Sequence, residues 1–258
     1  MRDKPALSWE WYGAHDPYYA VISLPKFKKS ILRAEHLAGF FSSGQQHWKW
    51  ILAAVESIGG SPSPRRALDF GCGVGRILVA MAASCGQVVG VDVSESMLAE
   101  ARKNCSAQGL TNVEFVTSKN SSLDVEGKFD LVHSCIVFQH VPPRDGYSLV
   151  NQLLSRLSDG GVAALQFPLI NSEPGLLRAV HFLRQRSRAI NYVLHWLKRN
   201  ETYPIMQMNT YSLTRLFMAA QEAGCEMLVK RLDSNTYFPG VMAFFRRDRL
   251  HRYPIFQY

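Results

Sequence analysis

The stretch Arg65–Ala82, RRALDFGCGVGRILVAMA, decides the fold. A short apolar run ends in Asp69 and Phe70, and glycine then stands at every second position: Gly71, Gly73 and Gly75. The run reads as a strand and the apolar residues from Arg76 to Cys85 as a helix, so the glycines occupy a strand-to-helix turn. Glycine there lets the backbone take positive φ and pass close to a ligand. The dinucleotide fingerprint Gly-x-Gly-x-x-Gly fails on spacing, because Arg76 stands where it needs a small residue.

The alternation continues downstream. QVVGVDV (87–93) reads as a strand, and SESMLAEARKNCSAQG (94–109) as a helix with Ser94 as its N-cap. VEFVTS (113–118) and FDLVHSCIVF (129–138) read as strands. RDGYSLVNQLLSRLSDGG (144–161) is a helix closed by glycines, followed by the strand VAALQFP (162–168). Strands alternating with helices at these loop lengths specify an α/β fold, a Rossmann-like, doubly wound, mostly parallel sheet. YSLTRLFMAAQEAGC (211–225) is a further helix. EMLVKRLD and GVMAFFRRD, with no crossover helix between them, form an antiparallel C-terminal hairpin.

Two segments lie outside this pattern. Residues 1–64 are helical and aromatic-rich, with KKSILRAEHLAGFF and QQHWKWILAAVESIGG carrying apolar residues at helical spacing before the breaker GGSPSPRR. Trp9, Trp11, Tyr12, Tyr18 and Tyr19 fall within eleven residues, and they either pack against the first helices or fold over the site as an N-terminal helical lid. Between the fifth strand and the last helix, 174–199 reads as an amphipathic helix with Arg178, Arg184, Arg186 and Arg188 on its polar side. It either caps the site or makes peripheral contact with an anionic membrane surface. The chain divides into a lid (1–64), a ligand-binding core (65–168), a helical cap insertion (169–210) and a helix-and-hairpin completion (211–258).

Composition narrows the classes. Of 258 residues 47% are hydrophobic and 19% charged, enough for a substantial core in one large domain. The five cysteines form no Cys-x-x-Cys pair, which suits a reducing, cytoplasmic setting better than a disulfide framework. No His/Cys/carboxylate cluster has metal spacing. The net charge is +8, and from Leu176 onward 13 Arg and Lys face five acids. That asymmetry admits an RNA partner, but no nucleic-acid module or stacking motif accompanies it.

The carboxylates point to the ligand. Asp69 would repel a pyrophosphate and attract an ammonium or sulfonium, and Asp92, 21 residues beyond Gly71, stands where two ribose hydroxyls can be accepted. A cationic amino acid joined to a nucleoside is S-adenosyl-L-methionine. LDFGCGVGR, VVGVDVSESML, FDLVHSCIVFQHVP and LSDGGVAALQFP follow one another at ordinary spacing. Over Arg65–Pro168 the chain thereby resembles the class I S-adenosylmethionine-dependent methyltransferases, particularly their small-molecule branch.

The resemblance implies a cofactor site. Gly71 and Gly73 would flank the methionine part, Asp69 hold its amino group, Asp92 bind the ribose, and Val93 and Met97 lie beside the adenine. After the third strand the family usually has an acid facing the adenine amino group; Lys119 stands there in TSKNSS, so Asn120 or a serine substitutes. His140, just past the fourth strand, lies on the edge where the transferred methyl belongs. It either takes the proton from a substrate hydroxyl or orders the loop before Pro142 by a backbone bond. The implied activity is methyl transfer to a small-molecule acceptor, a hydroxyl on a sugar, glycan or lipid-linked metabolite. An RNA methyltransferase and a non-catalytic cofactor-binding protein of the same fold are the competing readings.

Overall fold

The computed structural model describes residues 5–118, 122–175, 203–204, 206–232 and 237–248. Seven strands form one sheet: β1 (Arg66–Phe70), β2 (Gln87–Asp92), β3 (Val113–Thr117), β4 (Phe129–Ser134), β5 (Leu157–Pro168), β6 (Cys225–Leu232) and β7 (Gly240–Arg247). Their order is β3-β2-β1-β4-β5-β7-β6. β1 to β5 run parallel, and β7 pairs antiparallel with both β5 and β6, as the hairpin reading requires. The chain winds outward from β1 to β3, then returns to β4 on the other side of β1. The switch in order therefore falls between β1 and β4, where such sheets open a crevice beyond the strand ends.

Successive strand residues feed opposite faces. Ala67, Leu131 and Val162 pack on one face against Trp48, Ile51 and Val55 of α3 (Ala34–Ser57) and Leu78 and Met81 of α4 (Leu78–Ala82). Leu98 and Cys105 of α5 (Glu95–Ala107) complete that layer. Their neighbours Leu68, Val132 and Ala163 pack on the other face against Leu149 and Leu153 of α6 (Pro143–Ser155) and Leu216 of α7 (Leu213–Glu222). Each such Leu or Phe removed from water contributes roughly 1.5–3 kcal/mol, and these two layers fix the strand ends. Ser94 caps α5 as its sequence suggests, accepting a hydrogen bond from the Met97 amide at 3.1 Å.

Two readings need correction. The fourth strand stops at Ser134, because Ile136 takes φ +61° and gives its amide to the Gln166 side chain instead of the ladder. Phe138–His140 then form a 3-10 turn. The helix before β5 ends at Ser155: Leu157, fully buried, already pairs with Phe129, so LSDGG belongs to β5. From Ala34 the two N-terminal stretches run through one helix, α3, and residues 28–33 of the first lie outside it. Gly44 sits inside it because a Cβ there would overlap the Arg76 carbonyl.

Ahead of α3, α1 (Pro5–His15) and α2 (Pro17–Val21) cross the carboxyl edge of the sheet. Tyr12, Tyr18, Phe27 and Phe40 form a third apolar cluster with Val74 and Met97 of the core. Of the cap insertion, 176–202 lies outside the described residues, and with it the four arginines of the amphipathic helix.

Candidate cofactor and methyl-transfer site

A cavity of about 290 Å³ opens at the carboxyl ends of β1, β2 and β4. Gly71, Gly73, Asp92, Val93, Met97 and His140 all line it. The glycine turn is held from behind: the amides of Gly71 and Cys72 both donate to the Val91 carbonyl at the end of β2. Gly71 and Gly73 take φ of +74° and +53°. A Cβ on Gly71 would overlap Val137, and one on Gly73 would lie 2.9 Å from Cγ2 of Val21. Both glycines are therefore demanded by conformation and by space.

Asp92 is half-buried and ties the turn to α5. Its Oδ2 accepts the Gly73 amide at 2.9 Å and its Oδ1 the Ser94 amide at 3.0 Å. Burial pushes its pKa up to about 6, against the lowering pull of these amides. The carboxylate is thus charged at neutral pH and carries free lone pairs at the cavity wall.

Asp69 is placed otherwise than the resemblance implies. It is buried and is absent from the cavity lining; its Oδ1 accepts from Nδ1 of His133 at 2.8 Å. Nε2 of His133 meets Nε2 of His47, on α3, at 3.0 Å, so one proton lies between the two rings. Burial, then the nearby His133 and Arg76, hold His47 neutral, with a pKa of about 3. Asp69 therefore fastens β1 to β4 and α3 directly behind the turn. Asn120 lies outside the described residues.

His140 is buried and its ring meets Trp9 edge-on, with centroids 4.8 Å apart. Its Nδ1 donates to the Gln207 carbonyl at 2.7 Å, which leaves Nε2 as the acceptor, met by the Gln139 amide at 3.0 Å. Burial lowers its pKa to about 4, so the ring is neutral at pH 7. The backbone bond that would order the loop and the nitrogen that would accept a proton thus occur in the same ring.

Several lining residues escaped the sequence reading. Ile136, a β-branched residue at positive φ, follows β4 at the cavity wall, an uncommon strain that clusters at functional sites. Ser118, Cys135, Asp145 and Leu149 also line the cavity, and nothing in their local spacing marks them. Gln207 and Asn209 close the loop from the far end of the insertion, Asn209 donating its amide to the Gln139 carbonyl at 2.7 Å.

Residues 67–161 match the family model described as Methyltransferase domain. Over these residues the chain is similar to methyltransferase domains. A protein of Bordetella avium (strain 197N) named Ubiquinone biosynthesis O-methyltransferase is 29% identical over 154 residues, 57% of this chain and 62% of its own. One of the same name from Methylococcus capsulatus is 35% identical over 79 residues, 30% of this chain and 33% of its own. The chain thus matches less than two thirds of each relative's length. The structure of a magnesium protoporphyrin IX methyltransferase from Synechocystis PCC 6803 with bound SAH superposes with a TM-score of 0.65 at 16% identity, covering 95% of this chain and all of that one. The N-methyltransferase NodS of Bradyrhizobium japonicum WM9 gives 0.60 at 14%, covering 95% and 99%. At these identities the likeness is one of fold.

The cavity suits S-adenosylmethionine on its own chemistry. Bare backbone at Gly71 and Gly73 gives room for a ligand in contact, and a charged Asp92 offers a bidentate acceptor to a diol. The wall beyond is apolar, with Val93 and Met97 from β2 and the start of α5.

The N-terminal segment closes this cavity. Ala6 and Trp9 of α1 and Ala20 and Val21 of α2 are part of its wall. Glu10 fastens α1 to the first turn of α5, accepting from the Ser94 hydroxyl at 2.8 Å, the Ser96 hydroxyl at 2.5 Å and the Ser96 amide at 3.3 Å. Burial pushes the Glu10 pKa up, but the Ser96 and Ser94 bonds together outweigh it and hold the carboxyl below its usual value. An anion at a helix N-terminus also meets the positive end of the dipole. Gly13 permits the approach, since a Cβ there would lie 2.6 Å from the Ser94 hydroxyl.

Proposed function

We propose that this chain transfers a methyl group from S-adenosylmethionine to a hydroxyl of a small-molecule acceptor. The observation that carries the reading is the convergence, in one cavity, of the bare glycine turn, the Asp92 carboxylate and the neutral His140 ring. When bound, the cofactor supplies an electrophilic methyl on a sulfonium. Gly71 and Gly73 flank its methionine part, and the negative charge of Asp69 behind the turn favours the ammonium there. Asp92 accepts from the ribose hydroxyls, and Val93 and Met97 cover the adenine.

The protein's task at the acceptor is positioning and proton handling. Alignment of acceptor and methyl supplies most of the rate in such a displacement. His140 takes the acceptor's proton on Nε2, where the Gln139 amide now donates, while Nδ1 stays bound to the Gln207 carbonyl. Trp9 and α1 exclude water from this face. The O-methyltransferase names of the sequence relatives favour an oxygen acceptor over a nitrogen one. Among the described residues no helix is long and apolar enough to cross a membrane.

Release of S-adenosylhomocysteine with a panel of hydroxylated and amine acceptors tests the proposal. We expect turnover with hydroxyl compounds, and in His140→Ala a rate lower by roughly 10²–10⁴-fold at nearly unchanged cofactor affinity. With its pKa near 4, His140 should impose no fall in rate between pH 8 and about 5. Turnover of amines alone, or a His140→Ala variant of normal rate and lower Tm, would make His140 structural and overturn the assignment.

A further inference from the structure

Ser118, just past β3, lines the cavity, and residues 119–121 after it lie outside the described residues. Among the described residues two carboxylates line the cavity, those of Asp92 and Asp145. Asp92 is committed at the ribose end, with one oxygen on Gly73 and the other on Ser94. Asp145, in the first turn of α6, is half-buried, and among the described residues its carboxylate has neither a hydrogen bond nor an ion pair.

Spacing on α6 shows which part of the cavity it serves. Asp145, Leu149 and Gln152 recur at four and three residues and so share one face of the helix. Gln152 accepts the Leu123 amide at 2.9 Å, which ties that face to the segment following β3. Leu149, one turn earlier, is buried at the cavity wall, and Ser118 at the end of β3 is also in the lining. Asp145 continues this face, with Val93 and Met97 arriving from the β2 side. A carboxylate without a partner in a largely apolar wall calls for a donor from the ligand.

We infer that Asp145 is the acceptor for the exocyclic amino group of the adenine, supplied from α6. The inference rests on the cofactor reading above. It makes Asp145 a specificity residue for adenine within that site. The amino group donates one N–H to the carboxylate; no proton is transferred.

The test is titration calorimetry with two ligands, S-adenosylhomocysteine and its 6-deamino analogue, in which hydrogen replaces the adenine amino group. For the wild-type protein we expect the analogue to bind roughly 10- to 100-fold more weakly, the range of a charge-assisted hydrogen bond. In Asp145→Ala the two ligands should bind alike, because the partner of the amino group is gone. Asp145→Asn, which keeps the shape and one acceptor oxygen, should fall between. A preference for the amino ligand that persists undiminished in Asp145→Ala overturns the inference, as does unchanged S-adenosylhomocysteine affinity in that variant. Absence of S-adenosylhomocysteine binding in the wild-type protein would instead sink the cofactor reading beneath it.

Discussion

At the residue scale, the site rests on a few side chains and on two places where a side chain is missing. Gly73→Val would force a branched residue to φ +53° and drive its Cβ into Val21, so the turn, α2 or both must move. We expect this variant to lose S-adenosylhomocysteine binding beyond calorimetric detection, and its Tm to fall by several degrees. A Gly73→Val protein that binds like the wild type would show that the turn does not touch the ligand. The glycines and Asp92 were legible because their chemistry is local: positive φ and a strand-end carboxylate leave marks within a few residues. The pairing of Asp69 within the core was not foreseen, for the opposite reason. Its partner His133 lies 64 residues away, and that of His133 is on a helix before the sheet begins. A pairing across strands has no spacing to betray it. Asp145 was hidden likewise, since helical periodicity marks Leu149 as core but says nothing of what a polar neighbour faces.

At the element scale, alternation of strands and helices gave the sheet, its mostly parallel sense and the closing hairpin, because each strand's burial on both faces writes an apolar run. The element ends were harder. Where β4 stops depends on Gln166, a side chain of β5, competing for the Ile136 amide. Where α6 stops depends on Leu157 finding a place in the sheet. The aromatic N-terminal stretch was read as a lid from its content and from the family resemblance, and Ala6 and Trp9 of α1 lie in the cavity wall. What holds it was not foreseen: Glu10, at the N-terminus of α5. Glu10→Ala removes three acceptor contacts at once, a loss of roughly 1–3 kcal/mol for the docking of α1. We expect faster amide exchange throughout residues 5–15 and a higher dissociation rate for S-adenosylhomocysteine, while the sheet exchanges as before. Unaltered exchange in α1 would mean that Trp9 and Tyr12 hold the helix without the carboxylate.

At the scale of the whole molecule, the cavity is assembled from distant parts of the chain. The core supplies the glycine turn and Asp92, the N-terminal helices supply the cover, and Gln207 and Asn209 return from the insertion to fix His140 and its loop. The sheet's switch point brings these together, which is why the place of the site followed from topology while its membership did not. The central claim is that this assembled cavity binds the cofactor through the ionised Asp92. The most direct measurement is titration of S-adenosylhomocysteine from pH 8 to pH 5, in the wild-type protein and in Asp92→Ala. With its pKa raised to about 6, Asp92 is charged above that value and protonated below it, so it accepts from the ribose only at the higher pH. We expect strong binding at pH 7–8, weakening by up to about tenfold per pH unit below 6, and a loss of about 1.5–3 kcal/mol or more in Asp92→Ala at every pH above 6. Equal affinity of a folded Asp92→Ala variant at pH 8, with no pH dependence in the wild type, would contradict the account.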